Sequence, residues 1–247
     1  AKRAEEFGFE SAKIDYDFSA VMERVRRIIK KVEPHDSAER YEKLGVEVIK
    51  GSARITSPFT VEADGRTLVT RNIVVATGAR PFVPPIAGLE QIDYLTSDNI
   101  WEIRKLPPRL VVLGGGPIGC EMTQAFARLG SEVTQVEMTP RILLREDEDI
   151  SEMVRRKFED EGVRVLTGHK ASRVRIEGER KILVCEKKSG SVEIEFDEIL
   201  VAVGRAANAK GFGLEELGVR LRANGTIETN GLLQTNFPNI YCSGDVT

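Results

Sequence analysis

Between residues 5 and 33, Phe18, Val21, Met22, Val25, Ile28, Ile29 and Val32 recur at intervals of three and four, which lines one face of a helix. Lys30 and Lys31 suit its C-terminal turn, and Pro34 closes it. A second short helix is predicted over Ala38 to Lys43. From Val46 to Val75 apolar and polar positions alternate, interrupted by Gly51, Pro58 and Asp64-Gly65, which predicts a β-meander with a tight hairpin at Asp64-Gly65. The meander ends in a continuous apolar run, Ile73-Val74-Val75-Ala76, followed by Thr77-Gly78, as a buried strand feeding a loop would.

Pro81, Pro84, Pro85, Pro107 and Pro108 bracket a stretch without clear period, and a domain boundary is expected near residue 106. Beyond it the pattern becomes strand (Leu110 to Leu113), glycine-rich turn, helix (Pro117 to Leu129, with Gly130 just past its end) and strand (Glu132 to Glu137). A helix from Asp149 to Glu161 then precedes strands near 163–166, 172–177, 181–186, 192–196 and 199–203, which together predict an α/β chain with a βαβ core and an attached meander. The stretches Asn72 to Arg80 and Glu198 to Arg205 share a shape, each ending alternating strands, so the same kind of domain is expected twice. The first copy has its meander and final strand, with no glycine-rich turn ahead of them.

Composition narrows the function classes. The 247 residues carry 36 Lys+Arg against 39 Asp+Glu, a net charge of −3 that offers no general field for polyanions, so nucleic acid is not an expected partner. No apolar run approaches the ~20 residues of a membrane span, and the charged N-terminal residues do not form a secretory signal, so a cytoplasmic location is expected. Cys120, Cys185 and Cys242 are far apart and show no CxxC or CxxxxC spacing; with His35 and His169 the only histidines, neither a disulfide framework nor a metal site is expected.

Gly114-Gly115-Gly116-Pro117-Ile118-Gly119 fits GxGxxG directly between a strand and a helix. Gly114 permits a tight turn, Gly116 lets a diphosphate approach the backbone, Gly119 lets the helix lie close to the strand, and the helix N-terminus presents free amides to the anion. The bland alternative is an ordinary glycine turn, but Glu137 at the end of the second strand is a carboxylate where ribose hydroxyls need an acceptor. Because it repels a 2′-phosphate, NAD is favoured over NADP; Arg141 would counter this only if its loop folded back. Glu121, read as lying on the helix's first turn, either stabilises the helix dipole or faces the nicotinamide end of the cofactor. Residues 235–247 hold a short strand, Ile240 to Cys242, and then Gly244-Asp245, where the Asp either caps a turn or offers a carboxylate to a polyol hydroxyl.

These motifs together resemble the pyridine nucleotide-disulfide oxidoreductases, over the whole chain: Ala76 to Pro81 matches ATGxxP, Gly114 to Glu121 matches GGGxIGxE, Val203-Gly204-Arg205 matches VGR, and Thr235 to Asp245 matches TxxPxIYAxGD. The class with dihydrolipoamide dehydrogenase and mercuric reductase looks nearest, and Pro140 to Asp147 looks more like the mercuric-reductase type. The resemblance implies two Rossmann-like, FAD- and NAD(P)-binding domains with three-stranded meanders: residues 1–105 as the later part of an incomplete FAD domain, 106–231 as the NAD(P) domain, and 232–247 as the return to the FAD domain. It implies that Ala53, Thr77, Gly78, Ala79 and Asp245 meet FAD, and that Gly114 to Gly119, Glu121, Glu137, Val174 and Gly204 meet the nicotinamide nucleotide. The family reaction passes hydride from NAD(P)H to flavin and electrons onward through a cysteine pair to a disulfide or metal ion.

Departures from the family pattern bear on mechanism. The family's first FAD glycine motif, its redox CxxxxC and its C-terminal His–Glu pair do not occur in this sequence, so no catalytic residue is expected here and Cys120 is expected to pack. Smaller departures are Ala207 for Pro, Cys242 for Ala and Thr123 for a small apolar residue. The chain is therefore expected to be an internal segment of a flavin-dependent oxidoreductase whose parent forms homodimers, the segment itself being a monomer or exposing an apolar patch. The alternative is a non-enzymatic NAD-binding module without flavin, against which the start at Ala1 and stop at Thr247, just past the flavin motif, are expected to count. A flavin-free dehydrogenase would need a catalytic His, Tyr or Lys motif that the sequence lacks. The electron acceptor stays open among lipoamide, mercuric ion, other disulfides and quinones.

Overall fold

The computed structural model describes residues 14–247 together with Ala4, Gly8 and Glu10, so most of the 5–33 pattern before Ile14 lies outside the described residues. In chain order come α1 (Phe18–Val32), a 3-10 turn (Glu33–Asp36), α2 (Ala38–Lys43), β1 (Ala53–Ser57), β2 (Thr60–Ala63), β3 (Arg66–Val69), β4 (Ile73–Val75) and β5 (Ala79–Pro81). After 3-10 turns at Leu89–Gln91 and Ile100–Glu102 follow β6 (Arg109–Leu113), α3 (Pro117–Arg128), β7 (Glu132–Glu137), α4 (Glu148–Asp160), β8 (Arg164–Thr167), β9 (Lys170–Glu177), β10 (Arg180–Lys187), β11 (Gly190–Phe196) and β12 (Glu198–Val201). The chain finishes with β13 (Arg205–Ala207), α5 (Leu214–Leu217) and β14 (Ile240–Cys242).

Two compact units result, one of Ala1–Pro34 with Pro85–Ala202 and the other of His35–Pro84 with Val203–Thr247. The sequence places boundaries near 106 and 232 instead. Those borders follow cofactor domains and these units follow packing: Leu95 N–H donates to Ile199 O, which ties the proline-bracketed stretch to β12, while β5 and β13 pair with each other inside the second unit.

The first unit is built on a parallel sheet in the order β12-β6-β7-β8. β6 and its neighbour β12 are almost wholly buried, which is why they read as apolar runs. α3 lies against β6 and β7, and α1 joins it through Phe18 and Phe126, whose ring centroids are 6.1 Å apart. Asp17 caps α1 by accepting from Ser19 N at 3.0 Å, and the helix gives way after Val32 to the 3-10 turn that holds Pro34. A three-stranded antiparallel meander, β11-β10-β9, completes the unit.

In the second unit β1-β2-β3 form the other meander. Ala63 pairs with Arg66 across Asp64 (φ 50°) and Gly65 (φ 70°), so both turn residues are left-handed, the type I′ geometry expected of Asp-Gly. β4 runs parallel to β14 over a core of Ile73, Val75, Leu214, Ile227, Ile240 and Val246. The expectation that the Ile73-Val74-Val75 run is buried throughout is corrected here, because Val74 is 65% exposed: in this two-stranded pair only one face is covered. β5 and β13 pair antiparallel with Arg80 opposite Ala206. The flanking bonds, Phe82 N–H to Gly204 O at 3.0 Å and Asn208 N–H to Gly78 O at 2.9 Å, repeat each other under the offset that relates the two similar sequence stretches, so β5 and β13 pair symmetrically within the second unit.

No helix among the described residues is long and apolar enough to cross a membrane, and no cluster of metal-ligating side chains occurs among them.

Candidate functional site

At the end of β6 the glycine-rich turn can be followed group by group. Gly114, with φ 110°, donates to Val136 O at 2.8 Å and accepts from the Gln135 amide Nε2 at 3.1 Å. Gly115 donates to Glu137 Oε2 at 2.6 Å, and its carbonyl accepts from Leu143 N at 2.6 Å and from the Cys120 thiol at 3.5 Å. Gly116 caps α3 in extended conformation, and its carbonyl takes the first helical bond, from Cys120 N at 2.9 Å. Pro117 at the first helical position has no N–H to satisfy. Among the described residues, the N–H groups of Gly116, Ile118 and Gly119 have no acceptor and no side chain caps them.

Steric space around the glycines divides them by role. A Cβ on Gly119 would stand 2.2 Å from Gly114 O, so this glycine sets the helix against the strand. A Cβ on Gly115 would stand 2.9 Å from Ile142 Cγ2 and 3.0 Å from Glu137 Cγ. A Cβ on Gly116 would meet nothing within 4 Å, which is the open approach a diphosphate needs. With free donors, open space and no acidic residue in the first turn of α3, the residues fit a dinucleotide diphosphate.

Glu137 is half-buried at the end of β7, and its second oxygen accepts from Thr139 N at 2.7 Å. Each carboxylate oxygen keeps a further lone pair for an outside donor. Arg141 is committed to its own loop, donating to Leu144 O at 3.1 Å and Glu146 O at 3.0 Å. Glu121 is exposed, but the reading of it on the first turn of α3 is corrected: it is the fifth helical residue, beyond reach of the strongest dipole effect. Val174 stands on β9 with its side chain buried and its N–H spent on Ala87 O at 2.8 Å.

Gly204 falls in the second unit, together with Thr77, Gly78, Ala79 and Asp245. Thr77 Oγ1 donates to Asn208 O at 2.7 Å, Asn208 Nδ2 donates back to Thr77 O at 3.0 Å, and Arg80 donates to Asn208 Oδ1 at 2.9 Å. Arg205 donates to Ala79 O and forms an ion pair with Asp245 at 3.2 Å. Asp245 and Thr77 are exposed and a Cβ on Gly78 would meet nothing within 4 Å, so a hydroxyl-rich ligand finds both an acceptor and room. Ala53, exposed at the start of β1, pairs with Ala63 and makes no part of this bonded cluster. Sequence reasoning missed Asn208 and Gln135; β7, with Thr134 and Gln135 between Val133 and Val136, carries no pattern that marks the amide.

All three cysteines are buried and unpaired. Burial raises the Cys120 thiol above its ordinary pKa and pushes Cys185 and Cys242 up to about 11, so each stays protonated at neutral pH.

A family model described as pyridine nucleotide-disulphide oxidoreductase matches residues 7–247. The chain belongs to this family. Among these oxidoreductases it is 34% identical to the mercuric reductase of Lysinibacillus sphaericus over 97% of its own length and 44% of that protein's. It is 35% identical to the dihydrolipoyl dehydrogenase of Acholeplasma laidlawii over 99% of its own length and 72% of that protein's. The solved structure of an HOCl-induced flavoprotein disulfide reductase from Escherichia coli superposes with a TM-score of 0.84 at 26% identity, covering 94% of this chain and 53% of that one. The chain thus has the α/β fold of about half of a disulfide reductase, and it spans less than half the length of the mercuric reductases from Lysinibacillus sphaericus, Staphylococcus aureus and Bacillus cereus.

Proposed function

We propose that this chain is the nucleotide-binding segment of a flavin-dependent oxidoreductase that takes hydride from NADH and delivers electrons, through FAD, to a disulfide or metal-ion acceptor. The observation that carries the reading is the open end of α3, where the N–H groups of Gly116, Ile118 and Gly119 have no acceptor among the described residues while the inward-facing groups of the turn are bonded. These donors hold the diphosphate, and Glu137 accepts from the adenosine ribose with its remaining lone pairs. Preference for NADH over NADPH rests on the Glu137 carboxylate, on the commitment of Arg141 to Leu144 and Glu146, and on Met138, an exposed apolar side chain beside Glu137. Glu121, Val174 and Gly204 are assigned to the nicotinamide side by family resemblance, and Ala53, Thr77, Gly78, Ala79 and Asp245 to FAD. When bound, the nicotinamide supplies hydride and the flavin accepts it.

A second reading, binding without chemistry, is favoured by one observation: the chain's three thiols are buried and protonated. Calorimetric titration of the purified chain with NADH and NADPH tests the binding step common to both. The expected result is saturable NADH binding, weaker NADPH binding, and loss of both in Gly116→Val, whose branched side chain occupies the open approach. Unchanged affinity in that variant sinks the placement. Addition of FAD and a disulfide or mercuric acceptor to the longest natural form of the protein separates the two readings: NADH oxidation supports the enzyme, and its absence with intact NADH binding supports the module.

A further inference from the structure

We infer that Gln135 is a positioning residue for the dinucleotide turn, a role that rests on the NADH-binding reading above. Of the groups that pin Gly114 and Gly115, only two are side chains on β7: the Glu137 carboxylate and the Gln135 amide. Glu137 belongs to the ribose machinery. Gln135 has no such part, is wholly buried, and stands on a strand flanked on both sides by β6 and β8.

A polar side chain there is unfavourable unless satisfied, and Gln135 is only half satisfied. Its Oε1 has no partner, and another buried polar atom, Thr123 Oγ1 on α3, has none either. An apolar chain of the same length would fill the space with no orphan acceptor. What the amide alone supplies is the Nε2 donor, 3.1 Å from Gly114 O and 3.5 Å from Cys120 Sγ.

That donor sits where the turn and the helix close on each other. The hydrogen that Gly119 carries in place of a side chain faces Gly114 O, and a Cβ in its position would be 2.2 Å from that oxygen and 3.6 Å from Gln135 Nε2. Gln135 therefore braces the first peptide of the turn and the first turn of α3 from beneath, while their free N–H groups face the ligand. Without the donor, Gly114 O is a buried acceptor with no partner. The Gly114–Gly115 peptide then gains by rotating, which draws Gly115 N–H from Glu137 and misaims the donors at Gly116 to Gly119.

Gln135→Met tests this, because it trades one orphan acceptor for another and keeps the volume. The melting temperature should stay within about 4 °C of the parent, while the dissociation constants for NADH and ADP-ribose rise together by roughly three- to tenfold. Thr123→Val removes the other orphan without touching Gly114 and should leave both constants unchanged. Unaltered affinity in Gln135→Met, with the parent chain binding NADH and Gly116→Val not binding it, overturns the role of Gln135 and leaves the site standing. Equal losses in Thr123→Val and Gln135→Met, or a melting temperature that collapses along with affinity, reduce Gln135 to a packing residue and also overturn it. A parent chain that fails to bind NADH removes the site reading, and this inference with it.

Discussion

Three glycines a few positions apart have different physical duties, and substitution separates them. Gly119→Ala drives a methyl into Gly114 O and should destabilise the chain by about 1–3 kcal/mol through overpacking, measured by urea unfolding. Gly116→Val should be nearly neutral to folding, since its side chain meets no protein atom, yet abolish NADH binding. Glu137 has a double duty, pinning Gly115 and Thr139 as well as facing the ribose. Glu137→Ala should raise the NADH dissociation constant roughly ten- to hundredfold and narrow the gap to NADPH; if the ratio of the two constants stays fixed, the carboxylate is a brace only. The glycine motif and the terminal carboxylate were legible because they fall at a set spacing between a strand, a helix and the next strand. Gln135 was not, since nothing in a strand's alternation says whether a buried amide will find a carbonyl. Nor was the pairing of Asp245 with Arg205, which depends on a strand contact made across the intervening unit of sequence.

Among the elements, long periodic ones were readable and short ones were not. α1 follows from its repeat of apolar residues, and the β2–β3 hairpin from Asp64-Gly65, because these signals are local. β5 and β13, three residues each, have too little length for a period and exist only through each other. β4 read as buried because a run of three apolar residues looks the same whether one face or both are covered. Charge adds to the elements of the first unit. Arg109 at the start of β6 donates to Asp197 at 2.7 Å and pairs with Glu195 at 2.6 Å, joining the parallel sheet to the end of the meander. The hydrogen bonds from Arg109 hold the Asp197 carboxyl below the usual carboxylate range. Its folded pKa is therefore depressed, so the pair stabilises the fold above about pH 4, the unfolded value, and the contribution fades as pH falls through the lowered one. Asp197→Asn should cost about 1 kcal/mol at pH 7 and converge with the parent in acid denaturation as pH falls through the lowered value; a constant difference across the whole range would assign the loss to packing instead.

At the scale of the whole molecule, the division into two units has a measurable signature. Ligand binding stabilises only the structure that holds the ligand. Under hydrogen exchange, NADH should slow the amides of β6, α3 and β7 and leave those of β4 and β14 unchanged; protection spreading to both would show that the units open as one. The likeness of Asn72 to Arg80 with Glu198 to Arg205 led to the expectation of two related domains, with a border near 106 drawn from prolines and one at 232 from the family resemblance. The polypeptide changes compact unit after Pro34, just after β5 and just before β13.

That location makes residues 83–203 an insert in the smaller unit, to which the larger unit adds only its N-terminal helix α1 from outside the seam. Because Phe82 N–H and Gly204 O lie 3.0 Å apart, the polypeptide leaves the smaller unit and re-enters it at adjacent rungs of one ladder. A short Asn-Gly turn joining those rungs would delete everything between them without stretching a bond of the smaller unit, provided α1, which packs on Phe126, is removed as well, and equally a foreign domain whose ends lie close together could be spliced into the same gap. Insertion and excision at this seam cost the host little more than closing a loop, so the architecture is open to exchange of its parts by recombination.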